Sequence, residues 1–252
     1  MTSPHAATMS ADPLVAAGAV PLGAGIPSLL PLVRLLQLAS PTLPIGAYSY
    51  SQSLERIVED AAVHDVVTAA SWIGDILELV IAPGEAAVAW RLLNAARESD
   101  WQHFATWNAW FRASRETAEL RAETEQMGGS LAKLAASLDL LDSPAHDALK
   151  DIDPVTLPAA FALAVRGFMV PVDAALTAYV WSWLENQVLA AVKLVPLGQV
   201  AGQRLLVALG AKIPAVIGRA MALGDDDLST FAPGLALASA RHETQYTRLF
   251  RS

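Results

Sequence analysis

The sequence predicts an all-α fold, a single-domain helical bundle of about eight to ten helices. Three observations predict it. Apolar residues recur at helical spacing through most of the 252 residues, no alternating stretch of useful strand length occurs, and Gly and Pro fall between the periodic segments rather than within hairpins. The length suffices for one hydrophobic core without staples.

Residues 1–28 read as a flexible tail rich in Pro, Gly and Ala. Residues 13–33 are uncharged, but Pro13, Pro21, Pro27 and Pro31 forbid one continuous spanning helix, and no Lys or Arg precedes Arg34 to form a secretory n-region. The helical domain is expected over 29–240. Val66, Ala70, Ile73, Leu77 and Val80 mark a helix that Pro83-Gly84 is expected to end, with a second over Glu85 to Arg97. Ser99-Asp100-Trp101-Gln102 has the capping-box form and opens a third helix. Its stripe of Trp101, Phe104, Trp107 and Trp110 reads as a buried face rather than a cofactor box. Ser114 to Leu138 reads as helix, with a bend or break at Gly128-Gly129; Arg112–Glu116, Arg115–Glu119 and Arg121–Glu125 pair at i,i+4 on what reads as a solvated face, with a partner-recognition face as the alternative. Pro144 and Asp153-Pro154 mark a loop. Helices follow over Pro158 to Met169 and Asp173 to Val195, the latter apolar nearly all round and therefore central or in an interface. Gln199 to Leu209 and Pro214 to Leu223 are shorter helices, and Asp225-Asp226-Asp227 is a solvated turn with a cap at its end.

Composition narrows the function. The 54% hydrophobic content against 17% charged, with a mean hydropathy of +0.37, exceeds what one monomer readily hides and favours an oligomer or a partner-bound protein. A net charge of -8 argues against nucleic acid and anionic membrane partners. The absence of cysteine excludes disulfides, thiolate catalysis and sulfur-based metal sites, as expected of a cytoplasmic protein.

Little in the chain points to catalysis. His5, His64, His103, His146 and His242 include no pair at the three- or four-residue spacing of ligands sharing a helical face, so no metal or cofactor is expected on this chain alone. Ser130 and Lys133 have the Ser-x-x-Lys spacing of a serine hydrolase. The companion motifs are absent, so a helix surface is the better reading and a small helical hydrolase a remote alternative. Gly23-Ala24-Gly25 lacks the third glycine and the preceding strand of a dinucleotide loop, and no Walker lysine motif occurs. The C-terminal run from Arg241 to Ser252 interleaves aromatic and aliphatic anchors with arginines. By composition it is as readily disordered or docked on its own domain as bound to a partner.

Four blocks carry a resemblance covering most of 32–252. They are Leu35-Leu36-Gln37-Leu38-Ala39-Ser40-Pro41-Thr42-Leu43-Pro44-Ile45-Gly46-Ala47-Tyr48-Ser49-Tyr50-Ser51 with Leu54-Glu55; Ser114 to Glu123 with Gln126-Met127-Gly128; Trp181 to Val188 through Lys193 to Gln199; and the tail Arg241 to Ser252. Together they resemble the urease accessory protein F (UreF) family. Thr124 and Thr247 depart from it, in place of the usual Asp and Ser.

The resemblance implies an all-helical, non-enzymatic scaffold that forms a homodimer. It would bridge the D-type scaffold protein (UreD, also called UreH) and the G-type GTPase (UreG) while the assembly inserts nickel into apo-urease. Nickel would be handled by the complex, and a GTPase-activating regulatory role is the alternative. It also implies that Arg241, His242, Glu243, Tyr246, Arg248, Leu249 and Phe250 in the 241–252 tail bind the D-type partner, and that Tyr48 and Lys193 lie on the GTPase-facing and dimer-facing surfaces.

Overall fold

In the computed structural model residues 29–252 are described, and the chain divides at Leu30–Pro31 into two units, the second of which is the subject below. The expected tail over 1–28 lies outside the described residues. The helices are α1 (Leu30–Leu38), α2 (Leu54–Glu59), α3 (Val66–Ile76), α4 (Ala86–Glu98), α5 (Trp101–Ser114), α6 (Ala118–Ser137), α7 (Ser143–Lys150), α8 (Leu157–Val165), α9 (Val172–Leu194), α10 (Gln199–Gly210), α11 (Ile213–Ala222) and α12 (Pro233–His242). With Val66–Glu98 and Gln199–Ala222 each taken as one continuous rod, these make ten helices among the described residues, with no strand. The fold is all-α.

The core is built around α4, whose Ala86, Ala87, Val88, Ala89, Leu92 and Ala96 are all buried. Its small side chains let α5, α8, α9 and α11 pack closely around it. Helix α9 is also largely buried, through Leu176, Val180, Leu184 and Val188. The two long rods are apolar and long enough to cross a membrane by length and composition, but the first carries Glu85 and Arg91 in the protein interior.

Pro83-Gly84 does not end a helix. Leu77–Glu85 widens into π-helix and runs on into α4, with the Ala86 N–H bonded to the Ile81 carbonyl. A proline inside an α-helix costs about 3 kcal/mol, through its missing N–H and a ring clash with the preceding turn. In the π register the carbonyl left without a donor is that of Glu78, and Arg219 Nη1 donates to it at 2.9 Å. The Pro83 carbonyl accepts from Ser229 N–H at 3.0 Å, and a Cβ on Gly84 would lie 2.7 Å from Thr230 Cγ2, so the glycine admits a crossing chain.

The start of α5 differs from expectation by one residue. Ser99 takes a left-handed φ of 61° that closes α4, and Asp100 caps α5 by accepting from His103 N–H at 3.1 Å. The Trp101–Trp110 stripe packs on the core beside fully buried Phe104 and Phe111, as expected.

The expected helix over Ser114 to Leu138 is also redrawn. It breaks at Arg115–Thr117, where Thr117 caps α6 by accepting from Leu120 N–H at 3.3 Å, and it runs unbroken through Gly128-Gly129. A Cβ at Gly128 would sit 2.3 Å from the Val155 carbonyl oxygen; this glycine exists for close approach of the segment entering α8. The break interrupts the expected Arg112–Glu116 and Arg115–Glu119 pairs, and Arg121 and Glu125, both within α6, take other partners. Arg112 instead bonds Glu125 at 2.6 Å, Arg115 turns inward to Glu85, and Arg121 donates to the Arg115 carbonyl at 3.0 Å. Part of the loop expected between Pro144 and Pro154 is α7, capped by Asp142. Asp225–Asp227 is a short 3-10 turn that caps no helix, since α12 starts at Pro233, and Asp225 accepts from Arg91 at 2.7 Å.

Candidate functional site

The segment Tyr50–Ser53 is buried although it is irregular, with Gln52 and Ser53 at φ 48° and 70°. Buried irregular backbone must find partners for its polar groups. Asn186 Nδ2 donates to the Tyr50 carbonyl at 3.0 Å, Trp183 Nε1 to Gln52 Oε1 at 2.8 Å, and Gln52 Nε2 to Glu123 Oε1 at 2.8 Å. Tyr50 Oη donates to Gln126 Oε1 at 2.7 Å.

The C-terminal tail lies on this segment and on one face of α6. Glu119, Glu123 and Gln126 follow one another by four and three residues, which places them in a row. Glu119 meets His242 Nδ1 at 2.6 Å and pairs with Arg248. Glu123 accepts from Ser252 Oγ at 2.6 Å. Gln126 accepts from Arg251 Nη1 at 3.4 Å. From α2, Glu55 accepts the backbone N–H groups of Leu249 at 2.7 Å and Phe250 at 2.9 Å, and its Oε2 lies 3.2 Å from His242 Nε2. His242 is fully buried between two carboxylates, and a ring with a proton on each nitrogen donates to both. Burial pushes the Glu123 carboxyl above its ordinary range, against the hydrogen bonds from Ser252 and Gln52.

Tail and Tyr48 loop are joined by backbone bonds. Arg251 N–H donates to the Ser49 carbonyl at 2.8 Å, and Ser51 N–H to the Ser252 carbonyl at 2.9 Å. Tyr48 itself is 63% exposed on a short 3-10 turn, and borders a surface cleft with Gln126, Ser130 and Arg251.

The nominated residues divide into two sets. Phe250 is buried with Lys193 Nζ 5.6 Å from its ring centroid, and Lys193 is otherwise exposed on α9. His242 is inside, and Glu243 Oε1 accepts from the N–H groups of Ala118 at 3.0 Å and Glu119 at 3.3 Å at the start of α6. These residues fasten the tail. Outside lie Tyr246, wholly exposed, and Leu249 at 66%, with Arg241 reaching Asp60 at 3.7 Å and Arg248 part-exposed. Leu237, 61% exposed on α12, adds an apolar surface residue that was not nominated.

The residues that receive the tail are Gln52, Glu55, Glu119, Glu123, Gln126 and Trp183, none of which sequence alone marks as a site. All but Gln52 stand within the four sequence blocks, and Glu119, Glu123 and Gln126 also form a polar row on an otherwise amphipathic helix. Ser130 is half-buried and Lys133 exposed; no hydrogen bond joins them among the described residues, which also contain no cluster of three or more metal-ligating side chains.

The four sequence blocks thus converge on one place. Comparison with known proteins agrees. The UreF family model matches residues 63–210. The urease accessory protein UreF of Azoarcus sp. (strain BH72) is 55% identical over 226 residues, 89% of this chain and 97% of that protein. That of Janthinobacterium sp. (strain Marseille) is 51% identical over 221 residues, 88% and 98%. The bifunctional urease accessory protein UreEF of Bordetella bronchiseptica is 51% identical over 224 residues, 88% of this chain and 52% of that longer protein. The chain belongs to the UreF family of urease accessory proteins.

Proposed function

We propose that this chain is a non-enzymatic cytoplasmic scaffold, working as a homodimer, that joins the D-type scaffold protein (UreD/UreH) to the G-type GTPase (UreG) for nickel insertion into apo-urease. Nickel and nucleotide chemistry belong to the partners. The tail surface of Arg241, Tyr246, Arg248 and Leu249 takes the D-type protein, with His242, Glu243 and Phe250 as its fastenings; Tyr48 and Lys193 face the GTPase and the second copy.

The observation that carries this reading is the backbone pairing of Arg251 and Ser252 with Ser49 and Ser51. A partner that grips Tyr246 and Leu249 thereby acts on the loop that presents Tyr48, so one binding event sets the geometry of the other surface. An exposed tyrosine and leucine among arginines is also the composition of an interface anchor. The relative fused under the name UreEF supports work beside other accessory proteins.

The test is co-purification with the D-type and G-type proteins, comparing the intact chain with a Tyr246→Ala/Leu249→Asp variant. Both side chains are exposed, so the fold should hold while D-type binding falls by about tenfold or more. Undiminished D-type binding by the variant refutes the tail assignment.

A further inference from the structure

Beneath the Tyr48 loop lies a cavity of about 70 Å3, separate from the tail contacts that fasten Leu249 and Phe250. Leu43, Met127, Leu131 and Phe161 line its apolar side, and Ser40 and Pro41 form part of its wall. Its polar side holds Glu85, Arg115 and Glu123. Arg115 is buried and, among the described residues, makes one long side-chain hydrogen bond, from Nη1 to Glu85 Oε2 at 3.4 Å. Its Nε has no partner among the described residues. A guanidinium carries five N–H donors, and buried donors are rarely left unpaired. With Nη1 turned to Glu85, the Nε–Nη2 edge, the fork that receives a planar oxygen acceptor, is the unused side.

The carboxylates that share the cavity set the charge of what fits. Glu85 accepts from Tyr179 Oη at 2.6 Å and from Arg115, and Glu123 accepts from Gln52 and Ser252, so each carboxylate oxygen keeps a further lone pair. Burial pushes Glu123 toward its neutral form and Glu85 pairs with Arg115, so an anion would be left facing the Glu85 carboxylate. A cation would meet the guanidinium. A neutral group with a carbonyl at one end and N–H donors at the other satisfies both sides.

We infer that this cavity is a binding site for a small neutral carboxamide, its carbonyl oxygen on the Arg115 Nε–H edge, its amide N–H groups on carboxyl oxygens of Glu85 and Glu123, and its carbon end against Leu43 and Met127. The size agrees. At roughly 10–15 Å3 for each water-sized position, the cavity holds about five such positions, and acetamide has four heavy atoms. Since the Ser40–Ala47 segment that borders the cavity leads directly into Tyr48, the ligand would lie under the exposed loop.

The probe is acetamide, titrated into the full-length chain while the side-chain Nε–H resonance of Arg115 and the indole N–H of Trp183 are followed by NMR, with acetate and methylammonium as charged controls. Acetamide should give a saturable shift with a Kd on the order of 1 mM, as befits four heavy atoms, and each charged control a shift at least about tenfold weaker. Leu43→Phe fills the cavity without touching the ionic groups and should abolish the shift. Arg115→Lys keeps the charge, removes the fork and should weaken binding by about tenfold. The proposal is overturned if acetamide gives no saturable shift at about 100 mM, if acetate competes equally, or if the shift survives Leu43→Phe. No partner protein enters the experiment, so its failure leaves the scaffold reading untouched.

Discussion

Glu55→Gln isolates the contact that fastens the tail. The carboxylate receives Leu249 N–H on one oxygen, and Phe250 N–H and the His242 ring on the other. Glutamine keeps the shape but offers a single acceptor oxygen, so one backbone amide faces an NH2 group and loses its bond. A hydrogen bond to a charged group contributes about 1.5–3 kcal/mol, and a buried donor left unpaired costs a further 1–3 kcal/mol or so. The His242 contact weakens as well, because a neutral amide replaces its carboxylate. With non-additivity allowed for, local undocking becomes easier by about 3–4 kcal/mol, which is roughly 100- to 1000-fold in the opening equilibrium. Native-state hydrogen exchange reads this directly. The amides of Leu249, Phe250 and Arg251 should accelerate by that factor together with that of Ser51, whose N–H is bonded to the Ser252 carbonyl. Amides in α4 should keep their wild-type rates. If Phe250 and Ser51 stay within about threefold of wild type, Glu55 does not fasten the tail and the coupling of tail to loop fails with it.

Two adjacent glycines should respond in opposite ways. Gly128→Ala drives a Cβ into the Val155–Leu157 backbone and should cost about 2–4 kcal/mol, whereas Gly129→Ala meets nothing within 4 Å and should be neutral or gain up to about 1 kcal/mol by helix propensity. Denaturant midpoints of the two variants check this, and equal midpoints would contradict the crossing described for α8. The pH response of Glu123 has a fixed sign. Its folded pKa is raised above 4.5, so the folded protein retains a proton that the unfolded chain has already released; the contribution to stability is full below that pH and declines as pH rises through the folded value. Glu123→Gln should remove this slope, seen as a smaller loss of urea stability between pH 5 and pH 8 than wild type shows. Identical pH dependence in both proteins would mean that Glu123 is ionised at no cost in the fold.

Most helices were legible because each buries a stripe of apolar residues at its own period, which is a local property. The misread positions are those where a distant segment decides. Pro83 is a helix terminator by itself, and only Arg219 and Ser229, more than a hundred residues away, make the π register tenable. Gly128-Gly129 weakens a helix by propensity, but the segment that presses on Gly128 restricts that position to glycine, and the helix continues through it. The Arg112–Glu116 and Arg115–Glu119 pairs require a continuous helix across Arg115. The energetics there run the other way, because Glu85 offers that guanidinium a buried partner and Thr117 a cap for the helix that follows.

The candidate site shows the same division more sharply. Arginines, tyrosine and phenylalanine in the tail were visible as residue types that anchor interfaces, yet composition has no means of telling which of them face inward. That is decided by pairing. His242 has carboxylates on two sides and Phe250 has Lys193 over its ring, and each of these partners lies more than fifty residues away. Among the described residues the side chains of Tyr246 and Leu249 are exposed. The acidic residues supplying these contacts, Glu55, Glu119 and Glu123, read in isolation as ordinary helix surface. Burial turns them into a receptor, since carboxylates withdrawn from water must be met by donors, and the tail supplies backbone N–H groups, an imidazole, a guanidinium and a hydroxyl at matching places. The cost of leaving those carboxylates unmet holds the tail down. A partner that takes hold of Tyr246 and Leu249 therefore pulls against the same contacts that fix Ser49 and Ser51, and the strength of the Glu55 contact sets how firmly one surface is geared to the other.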